Sequence, residues 1–227
     1  MLSRTIPAPL TWYPLELPFT LKLLEAYVSE IESHVELGIT EFRRGDGTEI
    51  LEVNDESGDT VAVHKGIHSG LWDLRSVFEG YMPNLQRRSA LITLFSFLES
   101  ELDRLCDRVR VQEKSTLQVT DIAAKGILRA TTYLAKVGGL STIRNCSHWT
   151  EIKNIQSIRN LIVHSGGMIP DQHDGRRSKI IAYVASTPLL SGTESVMIEL
   201  GYLAHCLKTF KAFFGEIHAQ MQLRYGA

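Results

Sequence analysis

The chain has 227 residues, 44% of them hydrophobic, with 24 Lys or Arg, 26 Asp or Glu and a formal net charge of −2. That length and apolar content suffice for a core that holds without metal or disulfide staples, and they point to a single domain over residues 1–227. A charge near zero excludes a protein that coats nucleic acid non-specifically, because such binding rests on many uncompensated cations at phosphate.

The average conceals a split: residues 1–83 carry 6 Lys or Arg against 14 Asp or Glu, whereas residues 84–227 carry 18 against 12. A polyanion is therefore expected on the second part. Cys106, Cys146 and Cys206 lie far apart and form no CxxC pair, so they read as buried, reduced thiols rather than a zinc or redox site. No apolar run approaches the roughly 20 residues that span a bilayer, and the opening MLSRTIPAPL lacks the apolar stretch of a secretory signal. A cytoplasmic protein with no membrane association is expected.

In chain order, Pro14 and Pro18 punctuate the start, and Leu24, Tyr27, Ile31, Val35, Ile39 and Phe42 then recur at helical spacing up to the Gly45-Asp46-Gly47 turn. Ile50 to Val53 and Thr60 to Val63 read as strands joined by the polar run Asn54 to Asp59, a small β-hairpin inserted at about 46–66. A short helical segment around Leu71, Leu74, Val77 and Phe78 ends near Pro83. From about Asn84 to Val111, Leu91, Leu94, Phe95, Leu98, Leu102, Leu105, Cys106 and Val109 form one stripe, the spine of a bundle roughly 40 Å long at 1.5 Å per residue.

Asp121 can cap a third helix carrying Ile122, Ile127, Leu134 and Val137, with Gly126 in its interior and a stop at Gly138-Gly139. Ser147 and Thr150 are alternative caps for a fourth, which runs through Val163 to the Gly166-Gly167 pair. A polar segment from Pro170 to Lys179 precedes a short strand at 180–185. A last helix starts near Glu199 and carries Leu203, Leu207, Phe210, Phe214 and Ile217. The expected fold class is mainly α, a helical bundle with a hairpin insertion.

The fourth helix carries the chemistry. Ile152, Ile155, Ile158, Ile162 and Val163 share a broad face, and Arg159 projects close to its middle. A guanidinium in such a stripe must be received by a carboxylate, a phosphate or a partner chain, and the structural alternative is an ion pair to Glu99 or Glu101 of the long helix. Asn160 and His164 are four apart and neighbours on the helix surface, while Arg159 lies about 140° around the axis from His164. Either the long Arg side chain bends towards the His, or a second copy of the helix supplies the missing group across a dimer interface.

Arg159-Asn160-Leu161-Ile162-Val163-His164, followed by Gly-Gly and preceded by RRSALITLFSFLESELDRLC, resembles the R-N-x-x-x-H signature and long helix of the HEPN superfamily over about residues 70–220. The resemblance implies a HEPN-like bundle and a metal-independent endoribonuclease, usually dimeric, in which the ribose 2′-OH attacks phosphorus and leaves a 2′,3′-cyclic phosphate. It implies Arg159, Asn160 and His164 as the catalytic set, RNA as substrate, no cofactor, and an antitoxin or regulatory partner in a toxin or anti-phage defence system. The alternative is a catalytically silent HEPN-like module that binds RNA or a protein partner.

Other signals are weaker. His64 and His68 are four apart, but Gly66 and Gly70 argue for exposed loop histidines over a helical metal pair. His173-Asp174 is isolated, and Arg87-Arg88 and Arg176-Arg177 read as solvated pairs or phosphate contacts. GxxxxGK[ST], GxGxxG and GxSxG patterns do not occur.

Overall fold

A computed structural model describes residues 8–54, 59–170 and 175–226, which are mainly helical with small antiparallel sheets of two and three strands. The short helix α1 (Pro9–Leu15) leads into α2 (Leu17–Arg44), where Pro18 sits in the first turn and its missing N–H removes no helical bond. The helix stops at Gly45, which takes the left-handed conformation (φ 78°) that glycine adopts without a Cβ clash.

The hairpin pairs β1 (Thr48–Asn54) with β2 (Asp59–His64), in the register Thr48 to His64 and Ile50 to Ala62. A two-residue strand, β3 (Ile67–His68), extends it. Its expected turn falls largely on residues 55–58, outside the described part.

A π-helical turn, Ser76–Tyr81, runs without a break into α3 (Met82–Gln112). All eight residues of the predicted stripe are buried on α3. Each fully buried Leu or Phe contributes about 1.5–3 kcal/mol relative to exposure, so this helix organises the core. Packed on it are α1, α2, α4 (Gly126–Lys136), α5 (Ser147–Ser165) and α7 (Tyr202–Tyr225). The helix that carries Arg159 is thus in contact with the long helix. Helix α6 (Gly175–Ser186) packs on α5, followed by a two-stranded ribbon of β4 (Leu190–Ser191) and β5 (Met197–Ile198) that lies against α3. No described helix is long and apolar enough to cross a membrane.

Several expectations are corrected. Residues 180–185 lie in α6, because Ile180, Tyr183 and Val184 are buried at helical i, i+3, i+4 spacing while Ile181 and Ala185 stay exposed. Asp121 belongs to a short 3₁₀ turn, Val119–Asp121, where its carboxylate accepts from the Gln118 amide at 2.7 Å. Helix α4 begins only at Gly126, which is its first residue (φ 52°) rather than an interior one. Helix α5 has Cys146 at its N-cap with no side-chain cap, so neither Ser147 nor Thr150 serves. Helix α7 starts at Tyr202 rather than Glu199. Cys106 and Cys206 are buried free thiols, but Cys146 is only half-buried.

The histidine reading also changes. His64 is a buried strand residue, 1% exposed, wedged between the rings of Phe42 (5.2 Å) and Phe78 (4.4 Å). His68 lies on β3 and is half-buried. His173-Asp174 and the side chains of Arg176 and Arg177 lie outside the described part.

Candidate active site

Helix α5 buries Ile152, Ile155, Ile158, Leu161 and Ile162 against α3 and α7. Val163, expected on that face, is 44% exposed. The helix ends where Gly166 turns left-handed (φ 58°) and the Gly167 amide returns to Leu161 O at 3.1 Å, a glycine-dependent stop that satisfies an orphan carbonyl.

Arg159 emerges at the seam between α5 and α3. Its Cζ stands 5.7 Å from the Phe95 ring centroid, Nη1 donates to Asn160 Oδ1 at 3.0 Å, and Nη2 lies 3.8 Å from Glu99 Oε2. The side chains of Arg159 and Glu99 keep 22% and 28% of their surface exposed, so the pair is partly open to solvent. Its Nε is buried without a partner among the described residues. Of the two carboxylates offered by the sequence, Glu99 is therefore the partner. Glu101, two residues on and about 200° around the helix, points elsewhere, accepting from Trp12 Nε1 at 2.9 Å and Arg104 Nη1 at 2.7 Å.

Burial pushes the Glu99 carboxyl above its usual range; Arg159 and Arg129 pull it down, and Asp103 adds to the rise. Asp103, raised by burial as well, pairs with Arg129 at 3.6 Å, so acids of α3 alternate with arginines of α4 and α5. Glu99 also closes the start of α4, since a Cβ on Gly126 would come 2.7 Å from its Oε1.

His164 lies in the last turn of α5 and is exposed, with no hydrogen bond or ion pair to a described residue. Arg159 and Asn160 are brought into contact, therefore, while His164 stands apart on the same helix. Among the described residues, no group of three or more His, Cys, Asp or Glu is placed to hold a metal ion.

Two polar constellations escaped the sequence reading. Arg88 is not solvated: it is 9% exposed, and its guanidinium donates to Gly166 O at 2.6 Å, Ser195 Oγ at 2.8 Å and Val196 O. Arg87 is likewise engaged, 2.8 Å from Glu32 Oε2. The signal was present, because Arg88 falls at i−3 and i−7 from Leu91 and Phe95 and so on the buried stripe. The second constellation joins α5, α6 and α7: Glu151 Oε1 accepts from Tyr183 Oη at 2.6 Å and pairs with His205 Nε2 at 2.7 Å. Burial works to raise the Glu151 carboxyl, but hydrogen bonds from Tyr183, His205 and Asn154 outweigh it and leave it below its usual value.

In comparisons with known proteins, no family, no curated protein and no solved structure matches this chain.

Proposed function

We propose that the chain is a metal-independent endoribonuclease of the HEPN type, with Arg159, Asn160 and His164 as its catalytic set. The observation that carries this reading is the joint presentation of Arg159 and Asn160, 3.0 Å apart and partly open to solvent, on the helix that ends in the exposed His164, which is unengaged among the described residues. A planar guanidinium offers two donors to phosphate oxygens as negative charge accumulates, and imidazole exchanges protons near neutral pH.

In the proposed reaction the ribose 2′-oxygen bonds to phosphorus while the bond from phosphorus to the 5′-oxygen breaks. The 2′-OH loses a proton and the departing 5′-oxygen gains one, leaving a 2′,3′-cyclic phosphate and a 5′-hydroxyl. One imidazole performs one of these transfers. A twofold dimer would place a second copy of His164 at the same phosphate, and it also answers the angular separation of Arg159 from His164. A cytoplasmic toxin or anti-phage effector held in check by a partner protein is the setting we infer from the sequence resemblance.

A specific observation favours the alternative, a catalytically silent module that binds RNA or protein: Arg159 is already engaged by Glu99, Asn160 and Phe95. RNA incubated with purified protein in EDTA separates the two. Cleavage with cyclic phosphate ends, lost in a folded His164→Ala variant, supports the enzyme; cleavage undiminished by His164→Ala rejects this site.

A further inference from the structure

We infer that Arg88 is the positioning residue that fixes the His164 end of α5, an inference that rests on the catalytic reading of His164. Arg88 is buried, and burial lowers its guanidinium pKa from the ordinary value, yet no carboxylate pairs with it among the described residues. Taking a cation out of water without a counter-ion is costly, so its retention needs compensating acceptors. Two backbone carbonyls and a hydroxyl receive its Nη1 and Nη2 groups, Gly166 O, Val196 O and Ser195 Oγ, while Nε has no hydrogen-bond partner among the described residues.

The placement explains why a cation is used. Gly166 is the C-cap of α5, where unpaired carbonyls concentrate negative charge, and a cation at that end is favourable. The guanidinium fork spans from this cap to Ser195 Oγ and Val196 O, in a segment that is itself joined to the chain after His164. Val196 N donates to Gly167 O at 2.9 Å, Ile169 N donates to Glu194 O at 2.7 Å, and Met168 bridges Ser195. Asn84, one turn before Arg88 on α3, accepts from Ile198 N at 3.0 Å and anchors the far side of the same ribbon.

Gly167 completes the fit. Its φ of 87° is left-handed, and a Cβ there would overlap the Arg88 guanidinium. The last turn of α5 therefore cannot rotate or unwind without breaking Arg88 bonds, while His164 itself stays exposed. Arg88 acts through the backbone two residues beyond His164 and touches no reacting atom.

The test uses full-length Arg88→Ala, Arg88→Lys and Ser195→Ala. Displacing an acid–base group by about 1 Å costs on the order of 10²-fold in rate, so Arg88→Ala is expected to lose about that much kcat with KM changed less than about twofold. Lysine cannot reproduce the three-pronged fork and should restore only part of the rate. Millimolar guanidinium, but not ammonium, should restore kcat of Arg88→Ala by refilling the gap. If Arg88→Ala fails to fold, Ser195→Ala, which removes one acceptor, is expected to give a smaller loss confined to kcat. A kcat preserved in the folded variants, or a loss with no guanidinium rescue, overturns the inference. A readout independent of cleavage keeps it apart from the catalytic reading. Amide exchange at Gly166 and Gly167 and the imidazole NMR signals of His164 should change in Arg88→Lys, even if the wild type never cuts RNA; unchanged spectra overturn the positioning role by themselves.

Discussion

Trp12 Nε1 donates a 2.9 Å hydrogen bond to Glu101 Oε2, tying the seven-residue helix α1 to the middle of α3. Both residues are buried, at 1% and 4% exposure, so the indole is a structural donor to a buried carboxylate. Trp12→Phe keeps most of the apolar contact and deletes the donor. It should cost about 1–3 kcal/mol in urea denaturation, because the carboxylate would then rely on Arg104. A loss below about 0.5 kcal/mol would mean that Arg104 alone satisfies Glu101.

Arg159 and Glu99, 3.8 Å apart and partly exposed, should show only modest coupling. A double-mutant cycle with Arg159→Met and Glu99→Gln is expected to give about 0.3–1 kcal/mol of interaction energy. Additive single effects would show that Glu99 does not hold the guanidinium in solution.

The two glycines after His164 should respond unequally to alanine. Gly166 is left-handed with open space around it, so Gly166→Ala should cost about 1 kcal/mol of backbone strain. Gly167→Ala adds overlap with Arg88 and should cost roughly 2 kcal/mol or more, as a shift in the midpoint of thermal or chemical unfolding. The reverse order would contradict the Arg88 geometry.

Acid should destabilise the fold through His64. Its pKa is lowered by burial and by Lys65, against an opposing pull from Glu41. Because the unfolded imidazole binds protons more readily, this stability is fully present above about pH 6.5 and declines as pH falls through that value towards the folded pKa. Melting curves from pH 8 to pH 5 should show a steeper decline for wild type than for His64→Phe, with His218, also lowered by burial, sustaining part of the remainder. Parallel curves would remove His64 from this role.

The proposed dimer has a direct test. Val163 and Met168, 44% and 54% exposed, flank His164 in sequence at the end of α5. If two such ends meet, Val163→Glu should yield monomers in light scattering at micromolar concentration and abolish RNA cleavage together with assembly. A wild type that is monomeric under the same conditions would exclude the shared-site arrangement.

How much was legible follows from range. The stripe of α3, the glycine stops of α2 and α5 and the β1–β2 hairpin are local signals, and each stands within a few residues of its prediction. Helix α6 reads as a strand because Ile180, Ile181, Tyr183 and Val184 are strand-favouring types, whereas the burial of Ile180, Tyr183 and Val184 at helical spacing depends on packing against distant elements. At the candidate site, the contact between Arg159 and Asn160 is a neighbour relation within one helix. The choice of Glu99 over Glu101 required knowing which side of α3 faces α5. Arg88 looked like half of an ordinary basic pair, since its acceptors Gly166, Ser195 and Val196 lie 78, 107 and 108 positions away.

Leu74, Val77 and Phe78 form an apolar cluster separate from the main core, joined by Phe42, Ala62, Ile67 and Met82. A strand pair that leans on a satellite cluster can detach without opening the bundle, at a free energy below that of global unfolding. In hydrogen–deuterium exchange the amides of β1 and β2 should therefore label early and as a group, while those in the middle of α3 wait for the whole molecule to open. On that pattern the hairpin opens as a unit of its own, while the helices that carry Arg159 and His164 keep their packing.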